Sequence, residues 1–327
     1  MIDNGFRDIQ SQLIERRKKL KETISSKSSL KGLANLLMQV DSALERINNG
    51  TYGICEVCRE QIEADRLIAD PLITFCLNDL NKAQQKLLED DLILASTIQN
   101  TLLPGNNISE LGYEICYHYL PAGPVSGDYC DLVISQNGGE EIFFILGDIT
   151  GKGIAASMLV THMHAMFHSL IDLNLPLKKL MERANRLFCE SSLYTHFITL
   201  ICGKVIQTGE VEICNAGHCL PIIIKKDKII SIDSNGLPLG LFHQSEYSVN
   251  KFYLERGESI FLYTDGLSEA RCGEEEFGVE RINQIALMHY NTHSSEIINH
   301  FKNSWNEFIG DSDSRDDLTI MAIKRTE

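Results

Sequence analysis

Apolar residues recur at two spacings along the chain, and the spacing separates its parts. Residues 6–47 and 86–104 carry apolar side chains at every third or fourth position, which is typical of amphipathic helices. A break rich in Ser, Lys and Gly at 25–32 interrupts the first stretch, so it predicts a helical hairpin. The second stretch ends at Pro104, which cannot continue a helix, and predicts a linker helix.

From residue 105 onwards, short apolar runs bounded by Gly and polar turns alternate with stretches of helical periodicity. Strands are predicted near 113–120, 141–148, 197–206, 210–215, 248–254, 259–264 and 318–324. Helices are predicted near 154–171, 176–192, 279–289 and 295–308. This mixture predicts an α+β fold in which helices cover two mainly antiparallel sheets.

Composition agrees with a soluble chain of more than one domain. It has 327 residues, of which 43% are apolar, and no apolar stretch near the roughly 20 residues needed to span a bilayer. The first ten residues, MIDNGFRDIQ, do not resemble a signal peptide, and no membrane partner is expected. The ten cysteines lie mostly inside apolar runs, where they are interpreted as small buried hydrophobes. A reducing, cytoplasmic location is therefore expected.

The net charge of -15 comes mainly from the second part of the chain. Residues 1–90 hold 13 basic and 14 acidic side chains, and the remainder holds 17 basic and 31 acidic ones. A surface that coats DNA or RNA needs clustered Lys and Arg to displace counterions from phosphates. No nucleic-acid partner is expected.

Four short acidic motifs supply the candidate chemistry: SGD ends at Asp128, GDITGKG contains Asp148, YTDG contains Asp265 and SRDDLT contains Asp316. One such motif alone is usually just a turn. Each aspartate, however, stands where an apolar run meets a turn, so all four can project from strand ends into one cleft. Gathered carboxylates need cations, and hard oxygen ligands select magnesium or manganese. The four together predict a metal site that hydrolyses a phosphate ester.

These motifs resemble those of the PPM-type serine/threonine phosphatases, specifically the bacterial SpoIIE and RsbU branch. The similarity runs from about residue 102 to 327 and implies a PPM-type α-β-β-α sandwich over 105–327. Its blocks are LLP (102–104), YLPAGPVSGDYCD (119–131), LGDITGKGIAASML (146–159), FITL (197–200), NAGH (215–218), GLPLG (236–240), YTDGLSEA (263–270), FGVERI (277–282) and SRDDLT.

The resemblance also implies roles for the aspartates. Asp148 would bridge two divalent manganese or magnesium ions, and the backbone carbonyl of Ile149 would bind one of them. Asp265 and Asp316 would hold the other ion. Asp128 would act close to the metals, through their waters or through a weakly held additional ion. Such an enzyme attacks phosphorus with a water that the ions activate and needs no nucleophilic side chain.

The usual substrate of this branch is a phosphorylated STAS-domain anti-anti-sigma factor, which implies a protein serine/threonine phosphatase in a partner-switching pathway. The alternative is a non-catalytic module that binds a phosphoprotein or the transcription machinery. Because a catalytically dead relative is expected to lose at least one metal ligand, intact Asp148, Asp265 and Asp316 favour the enzyme.

Residues 1–85 resemble the DksA/TraR zinc-finger proteins, in which two C-x-x-C pairs hold one tetrahedral zinc. Cys55 and Cys58 form one pair, Cys76 opens the second, and Asp79 occupies the fourth ligand position. The resemblance implies a structural zinc with three thiolates and one carboxylate, or no metal at all. That family carries acidic residues at the tip of its hairpin. The tip here, ISSKSSLKG, has none, which argues against polymerase control by that mechanism.

The linker helix of 86–104 offers Leu88, Leu92 and Ala95 as the seam of a homodimer, as in RsbU-like enzymes. Packing of this helix against the phosphatase domain is an equal alternative.

Some further polar residues have weaker interpretations. His164 and His168 lie one turn apart on the helix predicted after Gly153, as metal-binding histidines can, but the sequence shows no third ligand. A surface or core role is favoured for both. Asp131 and Asp317 are carboxylates near the site without an assigned role.

Overall fold

The structure is a computed structural model, and it describes residues 2–26, 31–76, 82–135, 140–191, 196–310 and 316–327. The chain forms two compact units, Met1–Asp91 and Leu92–Glu327. Their boundary falls inside the predicted linker helix, so the division into 1–85, 86–104 and 105–327 remains a prediction.

The first unit contains a helical hairpin followed by a cysteine-containing loop. Its helices are α1 (Ile2–Ser26), α2 (Lys31–Asn48) and the short α3 (Ala64–Ala69). The two long helices share one apolar core, formed by Ile9, Leu13, Leu20, Val40, Ala43 and Leu44. The loop adds Tyr52, Cys55, Ile62, Leu67 and Cys76 to this core. The predicted hairpin is therefore present, and residues 27–30 of its tip lie outside the described residues.

A fourth helix, α4 (Lys82–Leu102), corresponds to the predicted linker helix and crosses the boundary between the units. Leu88, Leu92 and Ala95 are half-buried on it, whereas Ile93, Leu94 and Ile98 are exposed.

In its described residues, the second unit contains two antiparallel sheets, a two-stranded hairpin and, besides the end of α4, five helices. The strands are β1 (Ile108–Glu110), β2 (Tyr113–Leu120), β3 (Asp128–Ser135), β4 (Glu141–Ile149), β5 (Ile198–Ile206), β6 (Glu210–Ala216), β7 (Ile222–Ile224), β8 (Ile229–Ser231), β9 (Asn250–Tyr253), β10 (Ser259–Tyr263), β11 (Arg271–Cys272), β12 (Glu275–Glu276) and β13 (Leu318–Arg325). The helices are α5 (Ile154–Ile171), α6 (Leu177–Ser191), α7 (Asp265–Ser268), α8 (Gly278–Met288) and α9 (Ser294–Ile309).

The six-stranded sheet has the order β1-β2-β13-β10-β7-β8, and the five-stranded sheet has the order β3-β4-β5-β6-β9. Three apolar layers hold them together. Phe144 and Ile201 of the five-stranded sheet meet Leu262 and Met321 of the six-stranded sheet in the central layer. Both sheets are therefore buried on two faces, which explains why their strands are long apolar runs.

Helices form the outer two layers. Met163 of α5 and Phe188 of α6 pack on the five-stranded sheet. On the six-stranded sheet, the ring of Phe301 in α9 stacks on that of Phe261 in β10, with 4.0 Å between the ring centroids. The expected α-β-β-α sandwich is confirmed.

Strand β3 is the main element that the sequence pattern did not predict. It carries Asp128 and Asp131, which interrupt its apolar pattern, yet both side chains are buried at 2% exposure. Their burial is compatible with a strand because each carboxylate accepts hydrogen bonds inside the fold. The short strands β1, β7 and β8 and the hairpin β11–β12 were also not predicted.

Helix α5 is the one described helix that is long and apolar enough to span a membrane, and 44% of its 18-residue span is buried inside the fold. Its buried side chains include Met163 and Phe167, which belong to the layer that covers the five-stranded sheet. These contacts are those of a core helix.

The central layer has no room for a side chain at Gly203 of β5. A Cβ there would lie 2.2 Å from Cζ of Phe144 and 2.9 Å from the carbonyl oxygen of Glu212. We expect Gly203→Ala to lower the free energy of unfolding by about 1–3 kcal/mol because the strands must separate to admit the methyl group. Thermal denaturation measures the effect. Gly105→Ala is the control, since no atom lies within 4 Å of its added Cβ. Equal melting temperatures for the two variants would contradict this packing.

Candidate active site

The four predicted aspartates lie at one edge of the sandwich. Asp128 and Asp148 are direct partners across the β3–β4 pair. Asp265 begins α7 immediately after β10, and Asp316 lies two residues before β13. Since β10 and β13 are neighbours in the other sheet, each sheet contributes two of the four carboxylates.

Asp128 links the two sheets. Its Oδ2 accepts hydrogen bonds from the hydroxyl of Thr264 at 3.1 Å and from the hydroxyl of Thr319. The backbone N–H of Thr319 donates to the Thr264 hydroxyl oxygen at 2.9 Å, so the two threonines are also joined. Burial raises the pKa of Asp128 well above its ordinary value, and the charge of Asp148 adds to the effect.

Asp148 shows the electrostatic strain of the cluster most clearly. Burial raises its pKa to about 7, with further contributions from Asp265, Asp316 and Asp317. Burial also raises the pKa of Asp265, and the charge of Asp316 adds to it. Carboxylates in this state repel one another, and bound cations relieve that repulsion.

The donor set beside Gly127 fits a hard divalent cation. A Cβ on Gly127 would lie 3.1 Å from the carbonyl oxygen of Ile149 and 3.4 Å from both Asp148 Oδ1 and the carbonyl oxygen of Gly151. Three oxygens thus surround a space that glycine leaves open, and oxygen-only surroundings suit manganese or magnesium.

Asp317 holds the loop that precedes Asp128. Its Oδ1 accepts a hydrogen bond from the backbone N–H of Ala122 at 2.7 Å, and its Oδ2 accepts one from Gly127 at 2.8 Å. Gln99 of α4 binds the same loop at Ser126. Its Nε2 donates to the Ser126 carbonyl oxygen at 2.7 Å, and its Oε1 accepts from the Ser126 backbone N–H at 3.0 Å. The sequence did not single out Gln99, because a glutamine whose partners are backbone atoms leaves no motif. The available signal was that Gln99, a polar residue, lies on the apolar side of α4.

Lys152 lies at the mouth of the cluster. Its Nζ is 3.0 Å from Asp316 Oδ1, so it is ion-paired although its side chain is 65% exposed. The adjoining cleft has a volume of about 160 Å³, and its basic side chains are those of Lys152 and Arg271. Asp265, Gly266, Glu269 and Trp305 also line it.

His218 occupies a packed turn beside this site. The Asn215 side chain donates to the His218 carbonyl oxygen and accepts from the His218 backbone N–H. His218 Nδ1 lies 2.9 Å from the Thr199 hydroxyl oxygen. Burial lowers the pKa of His218 to about 4, so the ring is neutral at physiological pH. Thr199 is the partner of Asp148 across the β4–β5 pair, which makes His218 a support for that strand.

In the first unit, the sulfurs of Cys55, Cys58 and Cys76 lie within 4.8 Å of one another. The Sγ atoms of Cys58 and Cys76 are 3.5 Å apart, and the backbone N–H of Cys76 donates to Cys55 Sγ at 3.4 Å. In a tetrahedral zinc site each zinc–sulfur bond is about 2.3 Å long, so two sulfurs on the same zinc lie about 3.8 Å apart. The three thiols therefore fit a zinc ion. Asp79 lies outside the described residues.

The electrostatic strain at Asp148 predicts how the metal-free protein responds to pH. The ordinary pKa is 3.8 and the folded value is about 7, so the folded state binds more protons and loses stability as pH rises through this interval. Asp148→Asn removes that loss. At about pH 8 in chelator, we expect the melting temperature of the variant to exceed that of wild type by roughly 2–4 °C for each kcal/mol gained in the free energy of unfolding. The difference in melting temperature should be smaller when manganese is added.

Differential scanning fluorimetry at about pH 5 and pH 8, with and without manganese, measures both effects. Asp227→Asn, in an exposed turn, is the control and should behave as wild type. If Asp148→Asn is destabilised equally at both pH values, the raised pKa of Asp148 does not destabilise the metal-free protein at high pH, and the prediction is wrong.

Comparison with known proteins agrees with both units. The SpoIIE family, described as Stage II sporulation protein E, matches residues 138–326, and the prokaryotic dksA/traR C4-type zinc finger matches residues 50–78. "Phosphoserine phosphatase RsbU" of Bacillus subtilis (strain 168) is 24% identical over 246 residues, which cover 74% of this chain and 72% of that protein.

Two solved structures share the fold. The SiaA-PP2C domain of Pseudomonas aeruginosa has a TM-score of 0.64 at 20% identity and covers 75% of this chain and 99% of that one. The PP2C phosphatase domain of SpoIIE from Bacillus subtilis, with a fragment of its regulatory domain, has a TM-score of 0.56 at 16% identity and covers 65% of this chain and 64% of that one. The family match covers more than half of the chain, and the sandwich is that of PP2C domains, so the protein belongs to the SpoIIE family and is a PPM-type phosphatase.

Proposed function

We propose that the protein is a manganese- or magnesium-dependent protein phosphatase that removes phosphate from serine or threonine in a STAS-domain anti-anti-sigma-type regulator. The observation that carries this proposal is the convergence of Asp128, Asp148, Asp265 and Asp316 at one edge of the sandwich, where burial and mutual repulsion raise the pKa of Asp148 to about 7. Such a cluster is costly to the fold unless it binds cations.

When bound, two divalent ions supply Lewis acidity and lower the pKa of a water molecule. The chain's own groups set the geometry in which this happens. Asp148 and the carbonyl of Ile149 present oxygens toward the space beside Gly127. Thr264 and Thr319 hold Asp128 through its Oδ2. Charge neutralisation and fixed positions are the main requirements for phosphoryl transfer.

Further groups shape the approach of the substrate. Asp317 and Gln99 hold the loop that carries Ser126 and Gly127. Lys152 places a positive charge at the mouth of the cleft, where it can exchange its pairing with Asp316 for the phosphoryl group of a substrate.

The buried cysteines of the second unit do not favour a phosphocysteine route. Burial raises the pKa of Cys219 to about 12 and the pKa values of Cys130 and Cys202 well above the ordinary range. These thiols stay protonated at neutral pH, and a protonated thiol is a poor nucleophile. Reduced, buried thiols also agree with a cytoplasmic location.

The class of substrate is proposed from relatives. The name of RsbU specifies phosphoserine as its target, and that protein matches most of this chain. A phosphorylated regulator of a partner-switching pathway is therefore the proposed partner. We further propose that the first unit binds one structural zinc through Cys55, Cys58 and Cys76. Asp79, the fourth ligand that the resemblance implies, stays a prediction from the sequence. The homodimer through α4 remains a prediction from the sequence.

Loss of one predicted ligand should greatly reduce turnover. We expect Asp265→Asn to lower kcat/KM by roughly 100-fold or more in manganese, because the substitution removes a charged ligand while the amide keeps the shape of the side chain. The substrates are a STAS-domain protein phosphorylated on serine, a phosphoserine peptide and p-nitrophenyl phosphate. Asp227→Asn is the matched control and should retain wild-type rates with all three.

The outcomes separate chemistry from substrate choice. Manganese-dependent hydrolysis of p-nitrophenyl phosphate without action on the STAS-domain protein would contradict the proposed substrate and keep the chemistry. Full activity of Asp265→Asn would contradict the assigned site. Tight binding of the phosphoprotein by the metal-loaded wild type without any turnover would favour a non-catalytic module.

A further inference from the structure

A cluster of metal-ligating side chains lies outside the aspartate site. Asp131 of β3 meets His164 and His168, which stand one turn apart on α5. Asp131 Oδ2 is 3.0 Å from His164 Nδ1 and 2.9 Å from His168 Nε2. Ligand atoms of the three residues all lie within 4.8 Å of one another. The third ligand that the sequence did not show is therefore supplied by another element of the fold.

The carboxylate of Asp131 is held in place as metal ligands usually are. It is 2% exposed, its Oδ1 accepts the backbone N–H of Leu132 at 2.8 Å, and its Oδ2 accepts the hydroxyl of Tyr129 at 2.8 Å. Hydrogen bonds of this kind fix the orientation of a ligand before the metal arrives. On its remaining side the carboxylate faces the two histidines, and His168 Nε2 lies within hydrogen-bond distance of Oδ2 at 2.9 Å. A cation bound there would replace this hydrogen bond.

His164 has an unsatisfied nitrogen inside the cluster. Its Nδ1 is buried and lies 3.0 Å from Asp131 Oδ2, yet the angles there do not make a hydrogen bond, and Nδ1 has no other hydrogen-bond partner among the described residues. The rings of His164 and His168 are only 4.1 Å apart between centroids. A single divalent ion can bind both imidazole rings at once.

The cluster is separate from the aspartate cleft. Asp131 is an odd number of residues from Asp128, so the two side chains leave opposite faces of β3. Tyr129, on the face of Asp131, belongs to the layer under α5, whereas Cys130 and Leu132 belong to the layer between the sheets. The cluster can be reached from solvent, because the His168 side chain is 43% exposed.

We propose that Asp131, His164 and His168 bind one zinc ion, with solvent in the remaining position, and that this ion clamps α5 to β3. Two imidazole nitrogens and one carboxylate oxygen are a common zinc donor set, and they disfavour the magnesium or manganese of an all-oxygen site. The i,i+4 spacing places both rings on one face of the helix. The site stands on its own geometry and does not depend on the substrate of the phosphatase.

Zinc content of the full chain tests the proposal. The purified protein is stripped with chelator, equilibrated with zinc in excess magnesium, passed through a desalting column and analysed by plasma mass spectrometry. We expect the double variant H164A/H168A to hold one zinc per chain fewer than wild type. The control is His162→Ala, on the same helix, where the histidine contacts Ser191 instead. Its zinc content should equal that of wild type.

A second measurement distinguishes this site from the cysteine finger. Cobalt added to the stripped wild type should give the visible bands of tetrahedral cobalt in two sets, one accompanied by the near-ultraviolet charge-transfer band of thiolate ligands and one without it. The second set should be missing from H164A/H168A and present in His162→Ala. If the double variant does not fold, the wild-type titration decides alone.

A folded double variant with wild-type zinc content would overturn the proposal and leave the histidines as hydrogen-bond partners of Asp131. A wild-type cobalt spectrum with thiolate-ligated bands alone would overturn it as well.

Discussion

The structure depends on one electrostatic constraint, which is the burial of several carboxylates where the edges of two sheets meet. Asp128 is almost completely buried, and the pKa of Asp148 is raised to about 7. Charges in this setting are unfavourable without partners, and the described residues offer Lys152 as a cation beside the cluster. Divalent ions bound beside these carboxylates would offset their repulsion, so we expect metal binding to stabilise the fold as well as to support activity.

The two sheets hold this site from opposite sides. Thr319 of the six-stranded sheet and Thr264, which follows β10 of that sheet, bind Asp128 of the five-stranded sheet. Asp317 binds the loop before Asp128. A change in the packing of the sheets would thus move the carboxylates relative to one another. Gln99 adds α4 to the same network through Ser126. Main-chain hydrogen bonds and hydroxyl groups therefore hold Asp128 and the loop that precedes it.

Much of this arrangement could be predicted from the sequence, because its signals are local. Strands such as β4 and β13 are apolar runs, and α6 has strong helical periodicity, so their bounds were predicted within a few residues. The aspartates were found since each stands next to a strand end. Strand β3 was missed because Asp128 and Asp131 interrupt its pattern. It pairs with β4 along its whole length, and buried hydrogen bonds satisfy both carboxylates. The contact of Asp131 with His164 and His168 also joins distant residues, and no spacing along the chain reports it.

We propose that carboxylates from both sheets form one site for a pair of divalent ions, with Asp148 as a ligand of both. Electron paramagnetic resonance of the full chain titrated with manganese tests it most directly, because two manganese ions about 3.5–4 Å apart broaden and couple each other's signals. We predict a coupled signal that grows up to two equivalents and is absent from Asp148→Asn. A wild-type spectrum that shows only isolated manganese ions at every ratio would contradict the shared site.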